Sequence, residues 1–102
     1  MTVHEVAVRI ANPLGLHARP AAEFVKLAAK FVAEVSVTKD GYAVNGKSIM
    51  GVMTLAAECG SQITIRADGD DAETAVTALV DLVRRGFDEA YEDYAEEEGT
   101  DA

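Results

Sequence analysis

The sequence predicts an α+β fold in which four strands and three helices follow one another in the order βαββαβα. Two kinds of periodicity predict it: apolar residues that recur at every second position, as in half-buried strands, and apolar residues that recur every three or four positions, as in amphipathic helices. A third observation is the length of 102 residues, which suits one two-layer core and leaves no room for a second. We therefore expect one core that carries one site.

The first strand and the first helix are separated by a turn. Apolar residues alternate over residues 6–10, and residues 12–15 contain the proline and the glycine that end the strand. Over residues 18–31 the apolar side chains form one helical stripe, and the charged side chains lie outside it. Pro20 falls in the first turn, where its missing N–H is not needed. We therefore expect the helix to begin at residue 18.

A hairpin is predicted next. Apolar residues alternate over residues 33–38, and the dipeptide Asp40-Gly41 before the apolar residues 42–44 is typical of a hairpin turn. Residues 41–48 also match the G-x-x-x-x-G-K-[ST] pattern of a nucleotide-binding P-loop. We interpret this match as accidental, because a strand at residues 42–44 would not wrap phosphate groups and the chain is short for the parallel sheet of such enzymes.

The remaining elements are a short helix, a fourth strand and a long helix. Ser48 is a typical N-cap for a helix from residue 49 to about residue 57, which Gly60 would end. Alternation over residues 63–67 predicts the strand. The last helix is predicted from an apolar stripe and from capping signals at its ends. The stripe is Ala72, Ala75, Val76, Leu79, Leu82 and Val83, and the capping signals are Asp70 with Glu73 at the start and Arg84, Arg85 and Gly86 at the end.

The charge distribution excludes nucleic acid as a main partner. The formal net charge is −9, yet residues 88–102 hold eight acidic residues and no basic one, which leaves nine basic and ten acidic residues in residues 1–87. A nearly neutral body offers no electrostatic surface for a polyphosphate chain, and the acidic segment would repel one. We divide the chain into a domain of residues 1–89 and an acidic extension of residues 90–102.

Other sequence features indicate a cytoplasmic protein without a membrane partner. No segment approaches the roughly 20 apolar residues of a membrane span, and the first residues lack the basic and apolar pattern of a signal peptide. The single Cys59 has no partner for an internal disulfide or a zinc site, so we expect a reduced and buried thiol.

His17 is the candidate functional residue. It lies where a glycine-containing turn becomes a helix, so an anion on its ring would meet the backbone N–H groups of Ala18 and Arg19 and the positive end of the helix dipole. Arg19 adds a permanent charge. Imidazole is a nucleophile at neutral pH, and a phosphoryl group on its nitrogen transfers readily to a second acceptor. The alternative is a loop histidine beside a solvated arginine.

Two segments resemble one known family. Residues 12–21, Asn-Pro-Leu-Gly-Leu-His-Ala-Arg-Pro-Ala, resemble the active-site signature of HPr, the histidine phosphocarrier family of the sugar phosphotransferase system. Residues 47–55 are similar to the segment around the regulatory serine of that family, at the spacing from the histidine that the family shows. The resemblance extends over roughly residues 3–89, and it favours the phosphocarrier interpretation of His17 over the alternative.

The resemblance implies a fold and a reaction. The fold would be an antiparallel four-stranded sheet in the order 1-4-2-3, with three helices on one face. Enzyme I, phosphorylated by phosphoenolpyruvate, would phosphorylate Nδ1 of His17, and a IIA component would then take the phosphoryl group. Arg19 would be the charge partner of the phosphate, with the backbone of Ala18 and Arg19 as further ligands. The resemblance implies neither a metal nor a cofactor.

The resemblance also implies regulation and a docking surface. Ser48 would be the substrate of an HPr kinase/phosphorylase, and Ile49, Met50 and Met53 would form an apolar docking patch on a monomer; the alternative for these three residues is ordinary core. A carrier of the nitrogen-related regulatory branch is the second possibility for the function, since the two branches share the histidine motif.

The acidic extension departs from the family pattern. Phe87, Ala90, Tyr91, Tyr94 and Ala95 fall on one helical stripe, so we expect residues 87–95 to pack on the body. The alternative is a solvated tail, because eight acidic residues without a basic one repel one another.

Overall fold

The computed structural model describes residues 2–88 of the chain. In chain order the elements are β1 (Val3–Arg9), α1 (Ala18–Ala28), β2 (Glu34–Lys39), β3 (Tyr42–Asn45), α2 (Ile49–Thr54), β4 (Gln62–Asp68), α3 (Ala72–Arg84) and a 3-10 turn (Gly86–Asp88). The strands form one antiparallel sheet in the order β1-β4-β2-β3. The predicted order of elements and the strand order implied by the resemblance are both confirmed.

The core lies between one face of the sheet and the helices. In the two central strands Val35 and Val37 of β2 and Ile63 and Ile65 of β4 are buried, while the side chains between them are exposed or half-buried. The helix α3 packs on β1 and β4. Every residue of its predicted stripe is buried: Ala72, Ala75, Val76, Leu79, Leu82 and Val83.

The β2–β3 hairpin has the predicted turn. Asp40 and Gly41 both adopt left-handed conformations, with φ of 52° and 82°, as a tight two-residue hairpin turn requires. The P-loop interpretation fails on geometry, because Tyr42–Asn45 pairs with β2 as a strand. Lys47 Nζ, which would bind nucleotide phosphates in a P-loop, instead donates to the carbonyl of Phe31 at 2.7 Å.

Two helix boundaries near the loop between α1 and β2 differ from the prediction: the end of α1 and the start of α3. The helix α1 ends at Ala28 instead of residue 31, because the chain turns toward β2. The predicted cap of α3 at Asp70 is wrong, since the N-cap is Asp71. Its carboxylate makes no capping bond and instead accepts hydrogen bonds from the N–H groups of Val32 and Ala33, at 2.8 and 2.9 Å. A contact between distant segments thus replaces the local capping box.

The helix α2 is also shorter than predicted. It ends at Thr54 instead of about residue 57, because Ala56 adopts a left-handed conformation with φ of 49°. The next carbonyl, that of Ala57, accepts a hydrogen bond from the N–H of Leu16 at 2.8 Å. Gly60 does not end the helix and lies in the turn before β4.

The thiol of Cys59 is exposed, so the prediction of a buried cysteine is wrong. Its sulfur lies 3.8 Å from the carbonyl oxygen of Ala11, at the surface of the turn that leads into β4. Within residues 2–88 no group of acidic, histidine and cysteine side chains is arranged to hold a metal ion, and no helix there is long and apolar enough to cross a membrane.

The end of α3 follows the sequence signals. Arg85 is the C-cap and Gly86 has a φ of 66°, as expected for a glycine that ends a helix. Phe87 is buried, but its φ of 61° shows that the helix does not continue through it. The predicted stripe at residues 90–95, and the boundary between residues 89 and 90, lie outside the described residues.

Candidate functional site

The segment that leads into α1 is bonded to the segment that follows α2. The N–H of Ile10 donates to the carbonyl of Ser61 at 2.9 Å, and the N–H of Gly60 donates back to the carbonyl of Ile10 at 2.8 Å. Further along, the N–H of Leu16 donates to the carbonyl of Ala57. Leu16 is itself buried. These bonds fix the chain on both sides of the turn before His17.

Gly15 is the point of closest approach between the two segments. Its φ is 69°, and a Cβ added there would lie 2.2 Å from the carbonyl oxygen of Ala57 and 2.9 Å from Cα of Glu58. Only glycine fits such a contact with a backbone in that conformation. The N–H of Gly15 donates to the carbonyl of Asn12 at 3.1 Å, which closes the turn. The start of α1 is therefore packed in place from outside the helix.

His17 is the N-cap of α1. Its backbone is extended, with φ −77° and ψ −172°, its carbonyl accepts the first bond of the helix from the N–H of Ala21 at 3.0 Å, and its side chain makes no capping hydrogen bond. The imidazole is half-buried. Pro20 is buried and has no N–H, so the first-turn N–H groups that point out of the helix belong to Ala18 and Arg19.

The electrostatics of this helix start favour an anion. Nothing in the first turn of α1, which is described in full, is acidic, so no carboxylate there compensates the positive end of the dipole. Arg19 lies exposed in the same turn and adds a full positive charge. The arrangement combines a nucleophilic ring with N–H donors and a guanidinium, which are the groups that bind phosphate oxygens.

Ser48 begins α2 as predicted. Its Oγ accepts a hydrogen bond from the N–H of Gly51 at 3.0 Å, and its carbonyl accepts from the N–H of Val52 at 3.0 Å. The helix α2 packs against α1. The three apolar residues predicted on its surface are 43%, 76% and 41% exposed: Ile49, Met50 and Met53. The alternative that they belong to the core is therefore wrong.

Asn12 is a buried polar residue in the turn before His17 whose side-chain contact the sequence does not indicate. The sequence places it in the turn that ends the first strand and in the segment that resembles the HPr signature, yet the residue is 2% exposed and its Nδ2 donates to the carbonyl of Gly15 at 2.7 Å. Asparagine before a proline and a glycine is a signal for a turn. The burial of its side chain could not be predicted, because it depends on how residues 12–15 pack against the rest of the fold.

Comparisons with known proteins agree with this architecture. The family model described as "PTS HPr component phosphorylation site" matches residues 4–85. A phosphocarrier protein HPr from Cupriavidus necator is 48% identical over 80 residues, which cover 78% of this chain and 90% of that protein. A crystal structure of HPr from Thermoanaerobacter tengcongensis superposes with a TM-score of 0.81 at 50% identity, over 84% of this chain and 97% of that one. A crystal structure of an HPr dimer from the same organism gives 0.67 at 50% identity, over 82% and 97%.

The fold and these relatives define a phosphoryl-group carrier, which is not an enzyme that turns over a small substrate. The family model spans most of the described residues, and the relatives are matched over most of their own length. The chain belongs to the HPr family, the phosphocarrier proteins of the phosphotransferase system.

Proposed function

We propose that the protein accepts a phosphoryl group on Nδ1 of His17 from phosphorylated enzyme I and passes it to a IIA component of the sugar phosphotransferase system. One observation carries the proposal: the side chain of His17 stands at the N-terminus of α1, takes no part in capping it, and shares the first turn with Arg19. The proposal is also supported by the family model, whose description names a phosphorylation site.

The transfer needs little chemistry beyond positioning. The lone pair of Nδ1 attacks phosphorus, the bond to the donor group of enzyme I breaks, and that group keeps the electron pair. In the second transfer a nucleophile of the IIA component attacks the same phosphorus, and His17 leaves as a neutral imidazole. The N–H groups of Ala18 and Arg19 and the guanidinium of Arg19 stabilise the charge on the phosphoryl oxygens in both steps.

The apolar surface of α2 is the proposed docking patch for these partners. Its members, Ile49, Met50 and Met53, expose large side chains on a helix that packs against α1. Methionine side chains adapt to different partner surfaces, which suits a carrier that must bind a donor and then an acceptor. Burial of such a patch would contribute most of the affinity, while Arg19 would bind the phosphoryl group that is transferred.

Ser48 is the proposed regulatory residue. A phosphate on its Oγ would add nearly two negative charges at the start of α2. These charges favour the helix itself but oppose an acidic or apolar partner surface on the adjacent docking patch. We propose that an HPr kinase/phosphorylase adds this phosphate and so weakens the encounter with enzyme I.

We further propose that the protein acts as a monomer in the cytoplasm. The burial of the apolar face of the sheet within one chain supports this state, and transfer requires that the start of α1 remain open to two successive partners. A dimer is nevertheless the state described for one HPr from Thermoanaerobacter tengcongensis. Size-exclusion chromatography with light scattering at the concentration used for transfer assays decides between the two states.

Transfer of label from phosphoenolpyruvate tests the central proposal. The protein is incubated with purified enzyme I and labelled phosphoenolpyruvate, and then with separate candidate IIA proteins of the sugar and nitrogen-related branches. We expect one acid-labile phosphoryl group per chain, none in His17→Ala, and the parent amount in the control His4→Ala, which removes the other of the two histidines. Labelling of His17→Ala would contradict the proposal, and the IIA protein that becomes labelled identifies the branch.

A further inference from the structure

We propose that Asn12 is a positioning residue for phosphoryl transfer at His17, and that its side-chain amide sets the geometry of the turn from which α1 begins. This inference rests on the proposed function of His17. It assigns to Asn12 no contact with the phosphoryl group. Its action on His17 passes through Gly15 and the residue that follows it.

The geometric basis is a pair of hydrogen bonds across one turn. The carbonyl of Asn12 accepts from the N–H of Gly15 at 3.1 Å, and the side-chain Nδ2 of Asn12 donates to the carbonyl of Gly15 at 2.7 Å. Both polar groups of the Gly15 backbone are thus held by one residue. Of the two residues between Asn12 and Gly15, Pro13 has no N–H and Leu14 is 75% exposed, and neither has a polar side chain that could replace the amide of Asn12.

The side-chain amide also carries a buried acceptor that opposes folding. Within the described part of the chain, Oδ1 of Asn12 is the buried side-chain oxygen or nitrogen that has no hydrogen-bond partner. Turning the amide over would not help, because Oδ1 would then face the carbonyl oxygen of Gly15. A buried acceptor without a donor opposes folding. The asparagine is therefore accounted for by the bond that Nδ2 makes.

The bond from Nδ2 of Asn12 acts on His17 through the backbone of Gly15 and Leu16. Gly15 lies against the backbone of Ala57 and cannot shift toward it. Leu16 is buried and its N–H is bonded to the same Ala57. If the Gly15 carbonyl loses its donor, the peptide plane between Gly15 and Leu16 keeps the bond of the Leu16 N–H to Ala57 but loses the bond on its carbonyl side, and this plane lies one residue before His17. The imidazole would then sample orientations away from the line of phosphoryl transfer.

The test compares Asn12→Ala with a core variant of unrelated position, Val37→Ala. Val37 is fully buried in β2, in the middle of the sheet. Both variants are examined by urea unfolding and by steady-state phosphorylation with enzyme I and phosphoenolpyruvate. We expect Asn12→Ala to lower kcat about tenfold with KM nearly unchanged, since misplacement of a reacting group by a fraction of an ångström affects the transfer step and not docking. Val37→Ala should lower the urea midpoint further than Asn12→Ala and leave kcat at the parent value.

Two more variants keep the test decisive. Asn12→Ser retains a hydroxyl donor and should recover part of kcat, whereas Asn12→Asp places an acceptor against the Gly15 carbonyl and should do no better than Asn12→Ala. If Asn12→Ala does not fold, the comparison of Asn12→Ser with Asn12→Asp takes its place. A parent kcat in Asn12→Ala, or an equal loss of kcat in Val37→Ala, would overturn the inference. Failure of the proposed function has a different signature, because the parent protein would then carry no label on His17.

Discussion

The helices α1 and α2 begin with the same backbone geometry and with different uses of the side chain. Both N-cap residues are extended, and the carbonyl of each accepts the first bond of its helix. The Oγ of Ser48 also accepts from the N–H of Gly51, whereas the ring of His17 makes no capping bond. The start of α2 is therefore stabilised from within, and the start of α1 by the packing of Gly15 against Ala57.

This difference separates stability from function at the two proposed phosphorylation sites. The imidazole makes no capping bond to α1, so we expect that the proposed gain and loss of a phosphoryl group on the ring would not loosen the helix. At Ser48 the atom that would be phosphorylated is the atom that caps the helix, so a modification there alters the helix and its surface together. The proposed transfer site therefore has an N-cap residue whose side chain does not cap the helix, and the proposed regulatory site has one whose side chain does.

Among the variants that test this comparison, Gly15→Ala is expected to have the largest effect on stability. The added Cβ would meet the backbone of Ala57 in a residue with positive φ, so we expect the free energy of unfolding to fall by at least about 2 kcal/mol. Gly41→Ala is the matched control, because Gly41 also has a positive φ but no atom lies within 4 Å of its added Cβ. Denaturant melts of both variants measure the difference, and equal losses would show that packing does not hold the start of α1.

Arg19→Ala should have a large effect on transfer and a small one on stability. Arg19 is exposed in the first turn of α1, and a guanidinium on a phosphate contributes charge-assisted bonds whose loss slows transfer about tenfold or more. Arg19→Lys keeps the charge without the two-pronged geometry and should lie between. Rapid-quench measurements of His17 phosphorylation give the rates. A parent rate in Arg19→Ala would remove the charge-partner role from this residue.

The two Ser48 variants should have intermediate effects: Ser48→Ala on stability and Ser48→Asp on docking. Ser48→Ala removes the acceptor of the Gly51 N–H and should lower the free energy of unfolding by about 1 kcal/mol, with His17 still phosphorylated at the parent rate. Ser48→Asp keeps an acceptor and adds a charge, so its stability should stay close to that of the parent while KM for enzyme I rises. An unchanged KM in Ser48→Asp would count against the regulatory proposal.

The smallest effect concerns the start of α3, where a side chain bonds to a distant loop instead of to its own helix. Hydrogen bonding from the Val32 N–H lowers the pKa of Asp71 below its usual 3.8; the Ala33 N–H and the charge of Lys47 act in the same direction, and burial opposes them. Because the folded-state pKa is the lower one, the carboxylate stabilises the fold fully above pH 3.8 and this contribution disappears as pH falls through the folded-state value.

Urea unfolding of Asp71→Asn across that range of pH tests the assignment. The variant should have a lower urea midpoint than the parent at neutral pH, and the difference should shrink as the medium becomes more acidic than the usual pKa of the carboxyl group. A difference that stays constant with pH would mean that the charge of Asp71 makes no contribution through the Val32 and Ala33 bonds.

Short-range patterns predicted most of this fold. Alternation predicted the buried residues of the central strands, and the 3.6-residue stripe predicted the buried residues of α3 except Val80. The N-cap at Ser48 could be predicted because the serine and the N–H of Gly51, which donates to it, lie within one helical turn of each other. Such features depend on residues that are neighbours along the chain, so they can be predicted from the sequence alone.

Two of the errors share one physical cause, which is contact between residues that are far apart in sequence. Asp71 bonds to Val32 instead of its own helix, and the pairing of Leu16 with Ala57 takes place where α2 was expected to continue. At the candidate site, too, some features depend on neighbouring residues and others on distant ones. The apolar stripe and Pro20 were enough to predict that a helix begins at residue 18, but the reason that residue 15 must be glycine is an atom of residue 57.

The most direct test of the account is a site-resolved NMR measurement on the phosphorylated protein. The protein is labelled with ¹⁵N and phosphorylated with enzyme I and phosphoenolpyruvate, and the ring nitrogens of His17 and the backbone amides are compared before and after. We predict that the phosphoryl group appears on Nδ1 of His17, that the largest amide shifts fall on Ala18 and Arg19, and that the Gly51 amide bonded to Ser48 hardly moves. A phosphoryl group on another residue, or unchanged Ala18 and Arg19 amides, would contradict the claim that the start of α1 is the transfer site.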